Sequence, residues 1–299
     1  MIALALVVTA CSPDSPRSPR TGSAVQHKPV PGTPTLDWFD TAFGATLRPH
    51  PGDSGRQALE RFQATIGTPQ VVRLYSPGLP PGWGDVRRQV GDLPTVISFK
   101  ADPQEVLAGS VDQQLRHWFA AAPRDRLTYW VYYHEPEDQV EAGDFSATDF
   151  RKAWEHIARL ADDAHNPALV STIVLMCWTV SPASGRDWHD FVPAAGVDML
   201  AWDCYNHRAA SGAYSPPLDL LGTAALVSQE AGAQWGVAEL GSKLATGDDG
   251  SGRAEWLREV GVYARQHGAR FVTYFDSTVG GDFQLSDTAS QQALGDLFG

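Results

Sequence analysis

Eight short runs rich in Val, Ile, Tyr, Trp and Phe recur between residues 42 and 275 and set the limits on this fold. They are Ala42–Leu47, Gln70–Tyr75, Thr95–Phe99, Leu127–His134, Leu169–Trp178, Val197–Tyr205, Trp235–Leu240 and Ala269–Phe275. β-Branched and aromatic residues in runs this short suit buried strands. Most runs are followed by helix-periodic sequence: Gly55–Ile66, Asp85–Val90, Val111–Ala121, a long segment from Ser146, Leu218–Ala231, Arg253–Gln266 and Ser286–Phe298. Asp187–Phe191 allows at most a short helix. Ser146 and Asp149 have capping-box spacing. Strands alternating with helices predict a parallel sheet covered by helices. Eight such units predict an α/β fold of one domain, a (β/α)8 TIM barrel over residues 36–299, near the usual ~250 residues.

Leu127–Pro136, LTYWVYYHEP, is an apolar run that stops at His134, Glu135 and Pro136. Proline cannot continue a central strand, so the strand is expected to end near His134. In a parallel barrel, the carboxyl ends of the strands build the active site. Glu239, in WGVAELGS, occupies the matching position 104 residues later (239 − 135). That is three steps of about 35 residues, against the roughly 31 of a ~250-residue barrel. The two glutamates therefore end strands four and seven. Paired carboxylates on one barrel face suit glycosidic bond cleavage, one as acid and one as base or nucleophile.

Net charge is −12 with no basic block, which argues against nucleic acid or an anionic membrane as partner. A polysaccharide or oligosaccharide substrate is compatible with it, and the chain is expected to be a monomer. Motifs for other chemistry fail. HEPED lacks the second His of a helical zinc signature. There is no phosphate-cradling Gly-rich loop and no G-x-S-x-G elbow. No cofactor and no metal are expected.

Residues 1–11 read as a signal segment, with ten residues too few to span a bilayer. Val8-Thr9-Ala10-Cys11 resembles a bacterial lipobox, which makes Cys11 the candidate lipidation site. The usual basic stretch before the apolar run is absent, so either the start lies upstream or the match is fortuitous. Residues 12–35 carry six prolines among Ser, Thr, Gly, Arg and Lys, the composition of a tether. Together these predict an extracytoplasmic, surface-anchored or secreted protein whose only membrane contact is the lipid. Cys177 and Cys204 can form a disulfide or remain buried thiols, and buried thiols are the preferred reading.

Three stretches carry a resemblance. The His134-Glu135 pair resembles the acid/base site of glycoside hydrolase family 26, the β-mannanase family of clan A. Val237-Ala-Glu-Leu-Gly241 resembles that family's nucleophile motif, and Phe191–Asn206 its segment through strand six. The similarity spans about residues 40–297. It implies a retaining hydrolase with Glu135 as acid/base and Glu239 as nucleophile. The chain departs from it at Pro136-Glu137-Asp138, where the mannanases continue Met-Asn-Gly, so the expected substrate is a β-linked polysaccharide, β-mannan or a related β-glucan or xylan. A non-catalytic glycan-binding barrel is the alternative.

The remaining candidates each have two readings. His134 contacts substrate or packs at a strand end. Tyr205 aims Glu239 or packs in the core. Arg73 is a buried cation facing a carboxylate or an exposed strand-end charge. Asp203, Asn206 and Asp276 bind sugar hydroxyls or cap loops. Trp178 is the best stacking platform, and Trp83 a weaker one.

Overall fold

The structure is a computed structural model that describes residues 41–50, 52–194 and 196–299. The signal segment with Cys11, the tether and the expected domain start at residue 36 lie outside the described residues.

Eight strands close into a barrel in chain order. They are β1 (Ala42–Thr46), β2 (Val71–Ser76), β3 (Thr95–Phe99), β4 (Thr128–Tyr132), β5 (Leu169–Met176), β6 (Met199–Asn206), β7 (Gln234–Ser242) and β8 (Phe271–Phe275). Every neighbouring pair is parallel, and β1 pairs with β8 to complete the ring. The helices are α1 (Gly55–Thr65), α2 (Trp83–Val90), α3 (Pro103–Leu107), α4 (Asp112–Ala120), α5 (Glu137–Ala142), α6 (Ala147–Asp162), α7 (Pro217–Glu230), α8 (Ser251–Gln266) and α9 (Thr288–Gly295). Among the described residues, the β5–β6 connection has only single 3₁₀ turns, Cys177–Val180 and Trp188–Asp190. The (β/α)8 barrel read from the sequence is the fold observed.

Local sequence accounts for the helix starts. Ser54 and Gln57 form a reciprocal capping box before α1. Ser146 caps α6 by accepting from the Asp149 N–H.

Two apolar layers follow from strand alternation. Outward residues such as Val72, Leu74, Ile97, Trp130, Ile173, Trp202 and Val237 pack against the helices in one large cluster. Inward residues Val71, Val96, Tyr129, Val131, Val174, Met199, Ala201, Ala238 and Phe271 fill the barrel. The same inward parity carries Arg73 and Tyr75 on β2, and Asp203 and Tyr205 on β6, to the carboxyl end. The inside of the barrel is therefore apolar below and polar above.

Three expectations need correction. The fourth strand ends at Tyr132, before His134, because Tyr133, whose N–H makes a last bond to the Phe99 carbonyl at 2.7 Å, turns to φ 49°. The fifth stops at Met176, where the chain winds into its 3₁₀ turn. Cys177 and Cys204 are joined in a disulfide, with Cα atoms 5.0 Å apart. The register explains this: Met176 pairs with Asp203, which brings the next residue of each strand side by side. Helices α3 and α5 were not anticipated.

Candidate active site

Glu239 sits at a β-bulge in β7. Opposite β6, Trp202 pairs with Val237 but Asp203 pairs with Glu239, so Ala238 is the extra residue. Simple alternation after inward-facing Ala238 would send Glu239 out into the helix layer. The bulge returns it to the interior, while Leu240 beyond it faces outward. The displaced Ala238 carbonyl is not orphaned. It accepts hydrogen bonds from the hydroxyls of Thr46 and Thr273, inside the barrel.

Each oxygen of Glu239 has its own phenol. The Tyr75 hydroxyl donates to Oε1 and the Tyr205 hydroxyl to Oε2. Arg73 Nη1 lies 3.4 Å from Oε1 and 2.6 Å from Asp203 Oδ1. Arg73 has no exposed surface, and neither side chain of the Arg73–Asp203 pair is solvent-accessible. Removing one partner of such a buried pair costs about 3–5 kcal/mol. Burial drives the Asp203 carboxyl well above its usual range, and the charges of Glu239 and Glu135 add to this against the opposing pull of Arg73.

Glu135 is carried differently. After β4, Tyr133 and Glu135 both have φ 49°, a left-handed backbone that bulky side chains rarely adopt. The Glu135 N–H is fixed to the Val174 carbonyl at 2.9 Å. Such strained residues cluster at functional sites, held there by surrounding structure. Burial first, then repulsion from Glu239, pushes the Glu135 carboxyl up to about 7, while Arg73 and Lys100 pull the other way. The two carboxylates thus sense each other across one mouth.

His134 is held against Tyr75, with ring centroids 5.2 Å apart, and its buried Nδ1 has no partner among the described residues. Burial and the cations Arg73, Lys100 and Arg48 drive it well below its usual range, so it is neutral at physiological pH.

The site thus unites Glu135, Glu239, His134, Arg73 and Tyr205, all read from the sequence. Trp178 is 52% exposed in the turn after β5. Other candidates have different neighbours. Asp203 lies beside Glu239 in the β6–β7 pair and is the partner of Arg73. Asn206 accepts from the Ser215 N–H at 3.2 Å and Asp276 from the Leu285 N–H at 2.8 Å, so both fasten loops. Trp83 stacks on Trp118 at 4.7 Å and donates to its carbonyl, which corrects its reading as a platform.

Tyr75 was missed, although its signal was present: it follows Arg73 by two residues and so shares its inward face. The residues after Glu135 also turn out to be structural. Glu137 is fully buried, and its Oε1 accepts from the Met176 N–H at 2.8 Å and the Thr179 hydroxyl at 2.6 Å. It clamps the turn that carries Trp178, which the Cys177–Cys204 disulfide also ties to β6.

No protein-family profile matches the chain. No curated protein matches it in sequence. Solved structures do match its fold. A family 5 broad-specificity endoglucanase from Clostridium longisporum aligns at a TM-score of 0.60 and 13% identity, over 87% of this chain and 95% of that one. An endo-β-1,4-mannanase double mutant from Cellulomonas fimi aligns at 0.55 and 14%, over 86% and 71%. A family 128 endo-β-1,3-glucanase mutant from Amycolatopsis mediterranei, in complex with laminaripentaose, aligns at 0.52 and 14%, over 87% and 98%. At these identities the likeness is one of fold.

Proposed function

We propose that this chain is a retaining glycoside hydrolase of the clan A type that cleaves a β-linked polysaccharide, with Glu239 as nucleophile and Glu135 as acid/base. The observation that carries this reading is the unequal setting of the two carboxyls. Glu239 accepts from two phenols beside a guanidinium, the role of an ionised carboxylate. Glu135, pushed up to about 7, can hold a proton near neutrality. The fold neighbours that act on β-glucan and mannan support the substrate class. The motifs around His134-Glu135 and Ala238-Glu239 keep family 26 as the finer proposal.

In the first step the Glu239 carboxylate attacks the anomeric carbon. The glycosidic C–O bond breaks, and Glu135 gives its proton to the leaving oxygen. In the second, the Glu135 carboxylate takes a proton from water, whose oxygen displaces Glu239 from the sugar. The product keeps its β configuration, and both glutamates return to their starting states. Tyr75 and Tyr205 aim Glu239 throughout, and Arg73 fixes both Glu239 and the buried Asp203.

The non-catalytic alternative drew its weight from Pro136-Glu137-Asp138. The part of Glu137 in clamping the Trp178 turn gives that departure a structural reason. The Cys11 lipobox and the disulfide, which suits an oxidising compartment, support a lipid-anchored extracytoplasmic location. Radiolabelled palmitate should enter the wild-type protein and not Cys11→Ser.

The purified protein should release reducing ends from at least one of a panel of mannans, β-glucans and xylans. Glu239→Ala should fold with the same circular dichroism and lose that turnover. Turnover retained in the variant would falsify the nucleophile assignment.

A further inference from the structure

The barrel mouth holds more positive charge than its carboxylates use. Arg48 follows β1 on the inward parity of Thr46, and Lys100 follows β3 on that of Ser98. Both are therefore directed to the mouth rather than to the helix layer. Arg73 is consumed by Asp203 and Glu239. Arg48 and Lys100 are not consumed. Among the described residues, neither forms an ion pair or a side-chain hydrogen bond.

Instead, both are held on aromatic faces close to the two glutamates. Lys100 Nζ lies 4.8 Å from the ring of Tyr133, two residues before Glu135. The Arg48 guanidinium lies 4.9 Å from the Tyr75 ring, whose hydroxyl grips Glu239, and 5.4 Å from Phe275. The His134 ring stands against Tyr75. A ring face attracts a cation by about 0.5–1 kcal/mol at exposed sites, so it orients the charge without neutralising it.

Asp203 and Glu239 are thus matched to Arg73, and Arg48 and Lys100 stand at the cleft without a bonded counter-ion among the described residues, in a chain whose net charge is −12. General solubility does not call for them there, and a neutral glycan would leave them unmatched.

We propose that the β1–β3 side of the mouth, through Arg48 and Lys100, receives an anionic group on the glycan, a ring carboxylate or a sulfate ester. This rests on the glycosidase reading and names its substrate class. The guanidinium suits a planar carboxylate bidentately, whereas Lys100 acts as a point charge toward either group. The ring contacts hold both heads in place before substrate arrives.

The test compares matched glycans: neutral β-1,4-glucan and β-1,4-mannan, the same chains oxidised at C6 to uronates, and the same chains sulfated. Hydrolysis and binding, by affinity electrophoresis, are measured for wild type, Arg48→Gln and Lys100→Gln. The expected result is that one anionic form is preferred over its neutral parent by tenfold or more in kcat/KM. Each variant should lower that ratio about tenfold, and 0.5 M salt should lower it further. Preference for uronate over sulfate identifies the carboxylate as the group. Equal kcat/KM on neutral and anionic forms, or variants that leave the ratio unchanged, overturn the proposal. If no glycan is hydrolysed, the glycosidase reading fails by itself. The charge assignment is then judged by binding: retention of an anionic glycan that Arg48→Gln weakens upholds it, and equal retention of neutral and anionic forms overturns it.

Discussion

The ends of β4 and β7 each deliver a glutamate to the same mouth, by opposite means. At β7 the chain stays in the sheet and gains one residue. The bulge at Ala238 is absorbed by two threonine hydroxyls, and Glu239 emerges locked by two tyrosines and near an arginine. At β4 the chain leaves the sheet through two left-handed residues, and Glu135 receives a backbone anchor but, among the described residues, no ion-pair partner. One carboxylate is saturated with donors and the other is kept partly dry. On the proposed reading that contrast separates a nucleophile from an acid, because equal surroundings would give two groups with equal claims on one proton.

The contrast can be broken at either end. The largest effect is expected from removing the carboxylates. Glu239→Ala should lose about 10⁴-fold or more in kcat on every substrate. Glu135→Ala should lose roughly 10²–10⁴-fold on natural glycans, where the leaving oxygen needs a proton. It should lose far less on aryl glycosides, whose leaving groups do not. Steady-state kinetics on both substrate types checks this.

Smaller effects come from the grip on Glu239. A hydrogen bond to a charged group contributes about 1.5–3 kcal/mol, so Tyr205→Phe and Tyr75→Phe should each lower kcat by roughly 10–100-fold. KM should move little. Gly241 sharpens the point, because a Cβ there would stand 2.7 Å from the Tyr205 ring. Gly241→Ala should therefore reproduce the Tyr205→Phe defect without touching a hydroxyl.

The β4 end predicts a pH signature. The Glu135 carboxyl rises from an ordinary 4.5 to about 7 on folding. Between those values the folded chain binds more protons than the unfolded one, so this group's contribution to stability declines as pH rises from about 4.5 through 7. Glu135→Gln removes that decline. Its melting temperature should gain on wild type between pH 5 and pH 8, and wild-type activity should fall above about pH 7 as the acid deprotonates. The smallest effect is expected at Trp178, where Ala should raise KM a few-fold and leave kcat nearly unchanged.

The sequence made the eight strands legible because buried parallel strands are continuous β-branched and aromatic runs. It made both glutamates legible because each interrupts such a run near its end. The handling of those glutamates was hidden. A bulge leaves no residue signature when Ala238 and Glu239 are both ordinary strand members, and φ 49° at Tyr133 is enforced by neighbours distant in sequence. The Arg73–Asp203 pair and the Cys177–Cys204 disulfide depend on which strands face or adjoin each other, and register supplies that. Tyr75 alone was readable and missed.

The central claim, that Glu239 attacks and Glu135 transfers the proton, is tested most directly by azide rescue of the two alanine variants. The substrate is an aryl β-glycoside of the sugar the glycan panel identifies, and proton NMR assigns the product. Glu239→Ala should give the α-glycosyl azide, since azide attacks the anomeric carbon directly. Glu135→Ala should give the β-glycosyl azide, since azide then displaces Glu239 from the covalent intermediate. The same anomer from both variants, or the two exchanged, would contradict the account.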